Sequence, residues 1–139
     1  MVVENTAVPR VSVLMTLYNK GAFVEEAARS VLNGSFTDIE LLIVDDASTD
    51  DGVSNVQRIR DPRIRVLLSS NNTGRGATAN RGFNAARGEY IAILDADDIA
   101  HPERIARQVA LMDAHPEVGA CGSAYQVLGD TAAVHRWPS

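Results

Sequence analysis

The chain has 139 residues, of which 45% are hydrophobic and 22% are charged. That length fits a single domain, and the composition excludes a wholly disordered chain, a collagen and, with Cys121 as its one cysteine, a disulfide scaffold. The formal net charge of −5 argues against a nucleic-acid partner, because phosphate backbones attract proteins with an excess of basic residues.

The sequence shows no sign of membrane insertion or export. Segment 1–10 lacks the apolar core of a signal peptide, and no apolar run reaches the ~18 residues that span a bilayer. We therefore expect no transmembrane segment and a cytoplasmic location, while peripheral association with a membrane surface stays open. The ends, 1–9 and 130–139, have weak periodicity and are predicted to be flexible.

Apolar strands and amphipathic helices alternate along the chain. In order, the pattern predicts strand 11–17, helix 21–32, strand 39–44, a helix from about 48 to 59, strand 64–68, a helix from the glycine loop at 71–76 to 87–88, strand 90–94, helix 102–114 and strand 118–128. The near-continuous apolar character of the strands predicts a mostly parallel sheet with helices on both faces, an α/β, Rossmann-like fold.

Three of the predicted helices carry an apolar stripe, and Ser48 is predicted to cap the second helix. The stripes consist of Phe23, Ala27 and Val31 in the first helix, Ala79, Phe83 and Ala86 in the third, and Ile105, Val109 and Met112 in the fourth.

Polar residues follow four of the predicted strands, at 16–19, 45–48, 72–75 and 95–98. Parallel strands share a direction, so these strand ends are expected to meet at one edge of the sheet. Ligands of open α/β sheets bind beyond the carboxyl ends of the strands. The sequence therefore predicts a ligand site formed by all four segments.

Asp95, Asp97 and Asp98 place three carboxylates directly after a buried strand. Two such charges ~5 Å apart repel by roughly 3 kcal/mol at an effective dielectric of ~20, so the loop must be open to water or must hold a cation. Isolated acidic turns are usually solvated. Here the second acidic strand end, at 45–46, favours Mg²⁺ or Mn²⁺, between which the hard oxygen ligands do not discriminate.

Other strand-end residues suit a nucleotide. One of the acids at 45–46 can accept a hydrogen bond from a base N–H, which selects uracil or guanine over adenine or cytosine. Tyr18 either packs on the first helix or stacks on a base. The glycine loop with Arg75 precedes a helix start, where backbone N–H groups attract anions, although a solvated arginine is the alternative.

Several enzyme classes are disfavoured by missing motifs. No Gly-x-Gly-x-x-Gly follows the first strand and no Gly-Lys-Ser/Thr loop occurs, which argues against a dinucleotide-binding Rossmann domain and a P-loop enzyme. A phosphatase with Asp95 as nucleophile stays open as a weaker alternative. The acid at Asp98 and the acidic strand end at 45–46 argue against it.

Five motif segments occur in a fixed order, at 11–19, 44–50, 72–74, 88–98 and 102–105. Together they resemble the N-terminal half of a family 2 glycosyltransferase with the GT-A fold, over residues 11 to about 122. The resemblance implies a nucleotide-diphosphate sugar donor (a UDP-sugar favoured), Mg²⁺ or Mn²⁺, and transfer, of the inverting class, to an unknown saccharide, lipid or protein acceptor. It suggests a role in cell-wall or polysaccharide biosynthesis.

The resemblance also implies roles for individual residues. Thr16, Tyr18 and Asn19 would frame the base, and Asp46 would read its N–H. The full nucleotide-binding set that it implies is Thr16, Tyr18, Asn19, Asp46, Gly74, Arg75, Asp95, Ala96 and Asp97. Asp95 and Asp97 form the Asp-x-Asp motif that would hold the ribose and the metal, and Asp98 follows directly. Asp97 and Asp98 are the candidate metal ligands, and the resemblance leaves open which of these carboxylates binds the ion.

The chain departs from the family pattern at two places. Ala79 stands where family members often have an arginine, and Arg75 is the candidate replacement. Residues 1–139 are expected to form one donor-binding domain that stops before the acceptor-binding half, which would supply the catalytic base. The chain alone is then expected to turn over little or nothing. The alternative is a non-catalytic nucleotide-binding or assembly module that keeps the fold.

Overall fold

A computed structural model of the chain describes residues 8–129 and 134–135. Most of the two predicted flexible ends, at 1–9 and 130–139, lies outside the described residues.

The centre of the fold is a parallel sheet of four strands. They are β1 (Val11–Leu17), β2 (Ile39–Asp45), β3 (Ile64–Leu67) and β4 (Tyr90–Ile93), in the spatial order β3-β2-β1-β4. Val11 of β1 is in register with Ile39 on one side and with Tyr90 on the other. The predicted α/β class and the parallel sheet are confirmed, with strand boundaries within one residue of the expected ones.

Four helices cover the two faces of this sheet: α1 (Val24–Leu32), α2 (Gly52–Gln57), α3 (Arg75–Ala85) and α4 (Arg104–Ala114). Successive strand side chains point to opposite faces, so β1 and β2 supply two cores. Val13, Met15 and their neighbours pack with α1, α2 and α4. Leu14, Leu42 and Val44 pack on the other face with the end of α3.

The helix α2 begins later than the sequence pattern indicates. Its first residue is Gly52, and Ser48 is not its cap. The Oγ of Ser48 instead accepts the N–H of Asn19 at 3.0 Å. Ala47 has φ 62°, a left-handed turn that directs segment 46–51 away from a helical path and leaves it as a loop at the end of β2.

The predicted apolar stripe of α3 is only partly confirmed. Ala86, directly after the helix, packs against the Leu14 cluster, but Thr78 and Gly82 form the buried face of the helix and Phe83 is 41% exposed. A Cβ on Gly82 would lie 2.2 Å from Leu14 Cδ1, so the absence of a side chain is what lets α3 approach β1 closely. Phe23, also predicted to be buried, is 52% exposed just before α1. In α4, Ile105 is buried and Val109 half-buried, as the spacing indicates.

The predicted strand 118–128 is also wrong. Within the described residues only β5 (Tyr125–Gln126) is extended and paired there, antiparallel to β6 (Val134–His135). Segment 119–121 runs beside β4 and α4, where it lines a cleft. Gly119, Gly122 and Ser123 offer little apolar surface to bury, which weakens a strand.

Replacing Gly88 by alanine is expected to lower the free energy of unfolding by about 2 kcal/mol, because overpacking forces the backbone to shift. The new Cβ would lie 2.4 Å from the backbone N of Ser12 and 2.7 Å from the carbonyl carbon of Val11. Chemical denaturation measures the loss. Gly76→Ala is the matched control, because nothing lies within 4 Å of a Cβ there. A Gly88→Ala protein as stable as wild type would show that this contact is not rigid.

Candidate functional site

A cleft of about 460 Å³ opens at the carboxyl end of the sheet. Its position follows from the topology: the chain runs from β1 outward through β2 and β3 and then returns to β4 on the other side of β1. Such a reversal leaves a crevice beyond the strand ends, where open α/β sheets bind ligands. The lining residues are Thr16, Leu17, Tyr18, Lys20, Asp46, Asn72, Gly74, Arg75, Thr78, Asp95, Ala96 and Asp97.

Most of the predicted site residues therefore meet in one cleft. Asp46, after β2, and Asp97, after β4, line the same cavity, as the convergence of parallel strand ends predicts. Two predicted residues, Asn19 and Asp98, are not part of the lining. Sequence reasoning assigned no role to two residues that are, Lys20 and Thr78.

Asp46 holds the loop that leads into α3. Its Oδ1 accepts the N–H of Thr73 at 2.8 Å and the Thr73 hydroxyl at 3.0 Å, and its Oδ2 accepts the N–H of Gly74 at 2.9 Å. Burial alone would raise the pKa of Asp46, but the donors of Thr73, Thr78 and Gly74 outweigh it, and the net pKa is below the ordinary value. A buried, ionised Asp46 thus fixes one wall of the cleft.

Gly74 gives this loop its turn. It has φ 87°, and a Cβ placed on it would meet nothing within 4 Å, so the backbone faces open space. The left-handed conformation favours glycine. The helix α3 begins at the next residue, with its free N–H groups at the start of the helix, where negative charge is favoured.

Each of the first two carboxylates after β4 forms an ion pair. Both oxygens of Asp95 accept hydrogen bonds from Arg75, at 2.7 and 2.9 Å, and Asp97 Oδ2 lies 2.5 Å from Lys20 Nζ. The Lys20 ammonium lowers the pKa of Asp97. Burial and the neighbouring carboxylates of Asp95 and Asp97 raise the pKa of Asp98. Arg104 and Arg75 act in the opposite direction on the pKa of Asp98 but do not reverse the shift.

Asn19 joins two loops. Its backbone has φ 50°, its N–H donates to Ser48, and its Oδ1 accepts the N–H of Thr49 at 2.8 Å. Through its backbone N–H and its side chain, Asn19 thus connects the loop after β1 to the loop after β2. Tyr18, in contrast, is 47% exposed and is one of the residues that line the cleft.

The residues at the strand ends fit a divalent cation only together with a ligand. Among the residues that the structure describes, no group of three or more histidine, cysteine, aspartate or glutamate side chains could hold a metal ion. The hard oxygens of Asp97 and Asp98 are suitable ligands. Mg²⁺ and Mn²⁺ commonly combine one or two carboxylates with substrate phosphates, which matches this incomplete donor set.

Within residues 8–129 and 134–135, no helix has both the length and the apolar character to cross a membrane.

The sequence matches a known family over most of its length. The model of the family described as Glycosyl transferase family 2 matches residues 12–137. A curated relative, the succinoglycan biosynthesis protein ExoO of Rhizobium meliloti (strain 1021), is 37% identical over 107 residues, which are 77% of this chain and 31% of the relative. The chain spans between 31% and 42% of the length of five such relatives.

Two solved structures have a similar fold. S. aureus TarS 1-349 in complex with UDP-GlcNAc matches with a TM-score of 0.73 and 29% identity, over 77% of this chain and 32% of that 1-349 chain. The mannosyltransferase PcManGT of Pyrobaculum calidifontis in complex with GDP-Man and Mn²⁺ matches with a TM-score of 0.70 and 27% identity, over 77% of this chain and 33% of that enzyme. These neighbours match the predicted GT-A fold.

Proposed function

The chain belongs to glycosyl transferase family 2, and from this premise we propose that its cleft binds the nucleoside diphosphate of a nucleotide-sugar donor. The cleft at the reversal of strand order, walled by the loop that Asp46 anchors, is the observation that carries the proposal. The parent protein would transfer the sugar to an acceptor with inversion at the anomeric carbon.

The nucleoside would lie against the ends of β1 and β2. Tyr18 supplies an exposed ring for stacking, and Thr16 lines the same wall. Three of the roughly four lone-pair sites of the Asp46 carboxylate accept hydrogen bonds from Thr73 and Gly74, and the Thr78 hydroxyl is a further donor. A base N–H would therefore take the place of the Thr78 hydroxyl. Asn19 would act indirectly, by holding the two loops in place. Asp95 and Ala96 would face the ribose.

The diphosphate would lie between the start of α3 and the acidic segment after β4. Gly74 and Arg75 would contact it from one side, and Asp97 and Asp98 would hold Mg²⁺ or Mn²⁺ on the other. When bound, that cation would neutralise the negative charge of the leaving diphosphate. We propose uridine as the nucleoside, because the similar TarS binds UDP-GlcNAc. Guanosine is the alternative, because PcManGT binds GDP-Man.

The group that deprotonates the acceptor is proposed to lie outside this chain, which spans about a third of its relatives' length. The alternative, a non-catalytic nucleotide-binding or assembly module, predicts the same donor binding. Measuring the release of UDP from a UDP-sugar distinguishes the enzyme from the non-catalytic module. A full-length protein that binds UDP-sugar but releases no UDP with any acceptor would support the non-catalytic module.

Adding UDP with Mn²⁺ is expected to raise the melting temperature by several degrees. A ligand bound only by the folded state at 100 times its Kd stabilises that state by about 2.7 kcal/mol. Differential scanning fluorimetry measures the shift, and EDTA is expected to remove most of it. GDP, UMP and CDP, each with and without Mn²⁺, identify the base and the contribution of the second phosphate.

The control for this experiment is Arg107→Ala, which breaks an exposed pair with Glu103 on α4, away from the cleft. It is expected to show the wild-type shift. Equal shifts with UMP and UDP, unaffected by EDTA, would contradict the metal–diphosphate part of the proposal. No shift with any nucleotide would contradict the donor site itself.

A further inference from the structure

The ion pair between Lys20 and Asp97 joins two sides of the cleft. Lys20 is the only lysine of the chain, and its Nζ lies 2.5 Å from Asp97 Oδ2. The two residues are 77 positions apart, and about two fifths of each side chain is exposed. Lys20 follows β1 and Asp97 follows β4. These two strands are neighbours in the sheet, so the ion pair lies at the cleft beyond their ends.

The backbone at Lys20 is held from both sides. Before it, Asn19 is tied to Ser48 and Thr49 by hydrogen bonds. Lys20 itself accepts the N–H groups of Phe23 and Val24 at 3.0 Å, at the entry to α1. The ammonium group is therefore directed toward the acidic segment by a fixed main chain, while its four-carbon stem leaves the head free to move.

A divalent cation bound to Asp97 would be repelled by the Lys20 ammonium. An ion bound to Asp97 Oδ2 would lie about 2.1 Å from it. The Lys20 ammonium lies 2.5 Å from the same atom, so the two cations would be roughly 4 Å apart, where like charges repel each other. Arg75 is paired with Asp95, both of whose oxygens accept from its Nη2.

We propose that Lys20 is the counter-ion that Asp97 exchanges for the divalent cation, and that the released ammonium then contacts the donor's diphosphate. The inference rests on the proposed function. Without nucleotide, Lys20 competes for Asp97 and the cation binds weakly. With nucleotide, the phosphates offer Lys20 another anion, so cation and nucleotide strengthen each other's binding. Lys20 is thus a positioning residue that makes metal binding depend on the donor.

The test compares Lys20→Met, which keeps the stem and removes the charge, with Lys20→Arg, which keeps a cation. Electron paramagnetic resonance of free Mn²⁺ gives the metal affinity of the nucleotide-free protein. We expect Lys20→Met to bind Mn²⁺ about tenfold more tightly than wild type, because a positive charge that repels the ion is removed. Calorimetry with Mn²⁺ present is expected to show UDP bound about tenfold more weakly, because one charge-assisted hydrogen bond to phosphate is lost. Lys20→Arg is expected to behave like wild type.

Arg29→Met is the matched control, because it removes the same charge from an exposed pair with Glu25 on α1. It is expected to leave both affinities unchanged. Mn²⁺ affinity of Lys20→Met equal to or below that of wild type, while the wild type binds UDP, would overturn the Lys20 inference alone. If the wild type does not bind UDP at all, the proposed function is wrong. The proposed contact between Lys20 and the diphosphate is then wrong as well.

Discussion

Replacing Glu40 by alanine is expected to lower the free energy of unfolding by about 3 kcal/mol at pH 7, as removal of one partner from a buried ionic network typically does. Glu40 is 2% exposed on β2, at the end of the sheet away from the cleft. Its carboxylate accepts the Ser12 hydroxyl at 2.6 Å, Arg65 at 2.6 Å, and the N–H and Nε of Arg87 at 2.9 and 3.1 Å. Alanine would leave the Ser12 hydroxyl and the Arg87 Nε without this acceptor, while Arg65 keeps the carbonyl of Ala85 and the Arg87 N–H keeps Ser12 Oγ.

The same network predicts a pH dependence. Burial acts to raise the pKa of Glu40, but the donors of Ser12, Arg65 and Arg87 outweigh it and the net pKa is below the ordinary value. The stabilisation is therefore complete above the unfolded-state pKa of about 4.3 and is lost as the pH falls through the lower folded-state pKa. The difference in stability between wild type and Glu40→Gln should shrink over that interval.

Guanidinium denaturation at pH 7 and at a series of pH values below 5 measures both effects. Glu25→Ala is the control, because its pair with Arg29 is exposed and such pairs contribute about 0–1 kcal/mol. A loss for Glu40→Ala no greater than that for Glu25→Ala would show that solvent replaces the carboxylate. A gap between wild type and Glu40→Gln that stays constant down to pH 3 would contradict the ionised state assigned to Glu40.

Replacing Asp46 by alanine is expected to weaken UDP binding about 100-fold, since hydrogen bonds to a charged group contribute up to about 3 kcal/mol. Three hydrogen bonds from Thr73 and Gly74 to this carboxylate hold one wall of the cleft. Without them, the loop must be ordered when the ligand binds, and that entropy cost lowers the affinity. Calorimetry with UDP and Mn²⁺ measures the change.

The same variant separates the two roles proposed for Asp46. If the carboxylate also reads a base N–H, wild type prefers UDP over CDP, and Asp46→Ala loses that preference. If it only anchors the loop, the ratio of the two affinities is unchanged. Asp51→Ala is the control: Asp51 is exposed and makes no side-chain cap to α2. UDP affinity of Asp46→Ala within threefold of the control would contradict both roles.

Helix faces show where periodicity alone fails. Ala79, Phe83 and Ala86 have helical spacing, yet α3 packs through Thr78 and Gly82. A glycine has no apolar side chain to contribute to a hydrophobic pattern, but it permits the closest approach of a helix to a strand. The strand predicted at 118–128 does not form, because Gly119, Gly122 and Ser123 have little apolar surface to bury against the sheet.

The amino-acid sequence by itself determined the four strands of the parallel sheet, their order along the chain and the acidic ends of β2 and β4, because these depend on local hydrophobic patterns and on the shared direction of parallel strands. That was enough to place Asp46 and Asp97 at one cleft. Only the tertiary structure decided which groups pair there. Asp46 meets Thr73, and Lys20 meets Asp97, across 27 and 77 residues of chain. Contacts at such separations depend on how the loops turn, at Asn19, Ala47 and Gly74, and no local pattern encodes the distance between two loops.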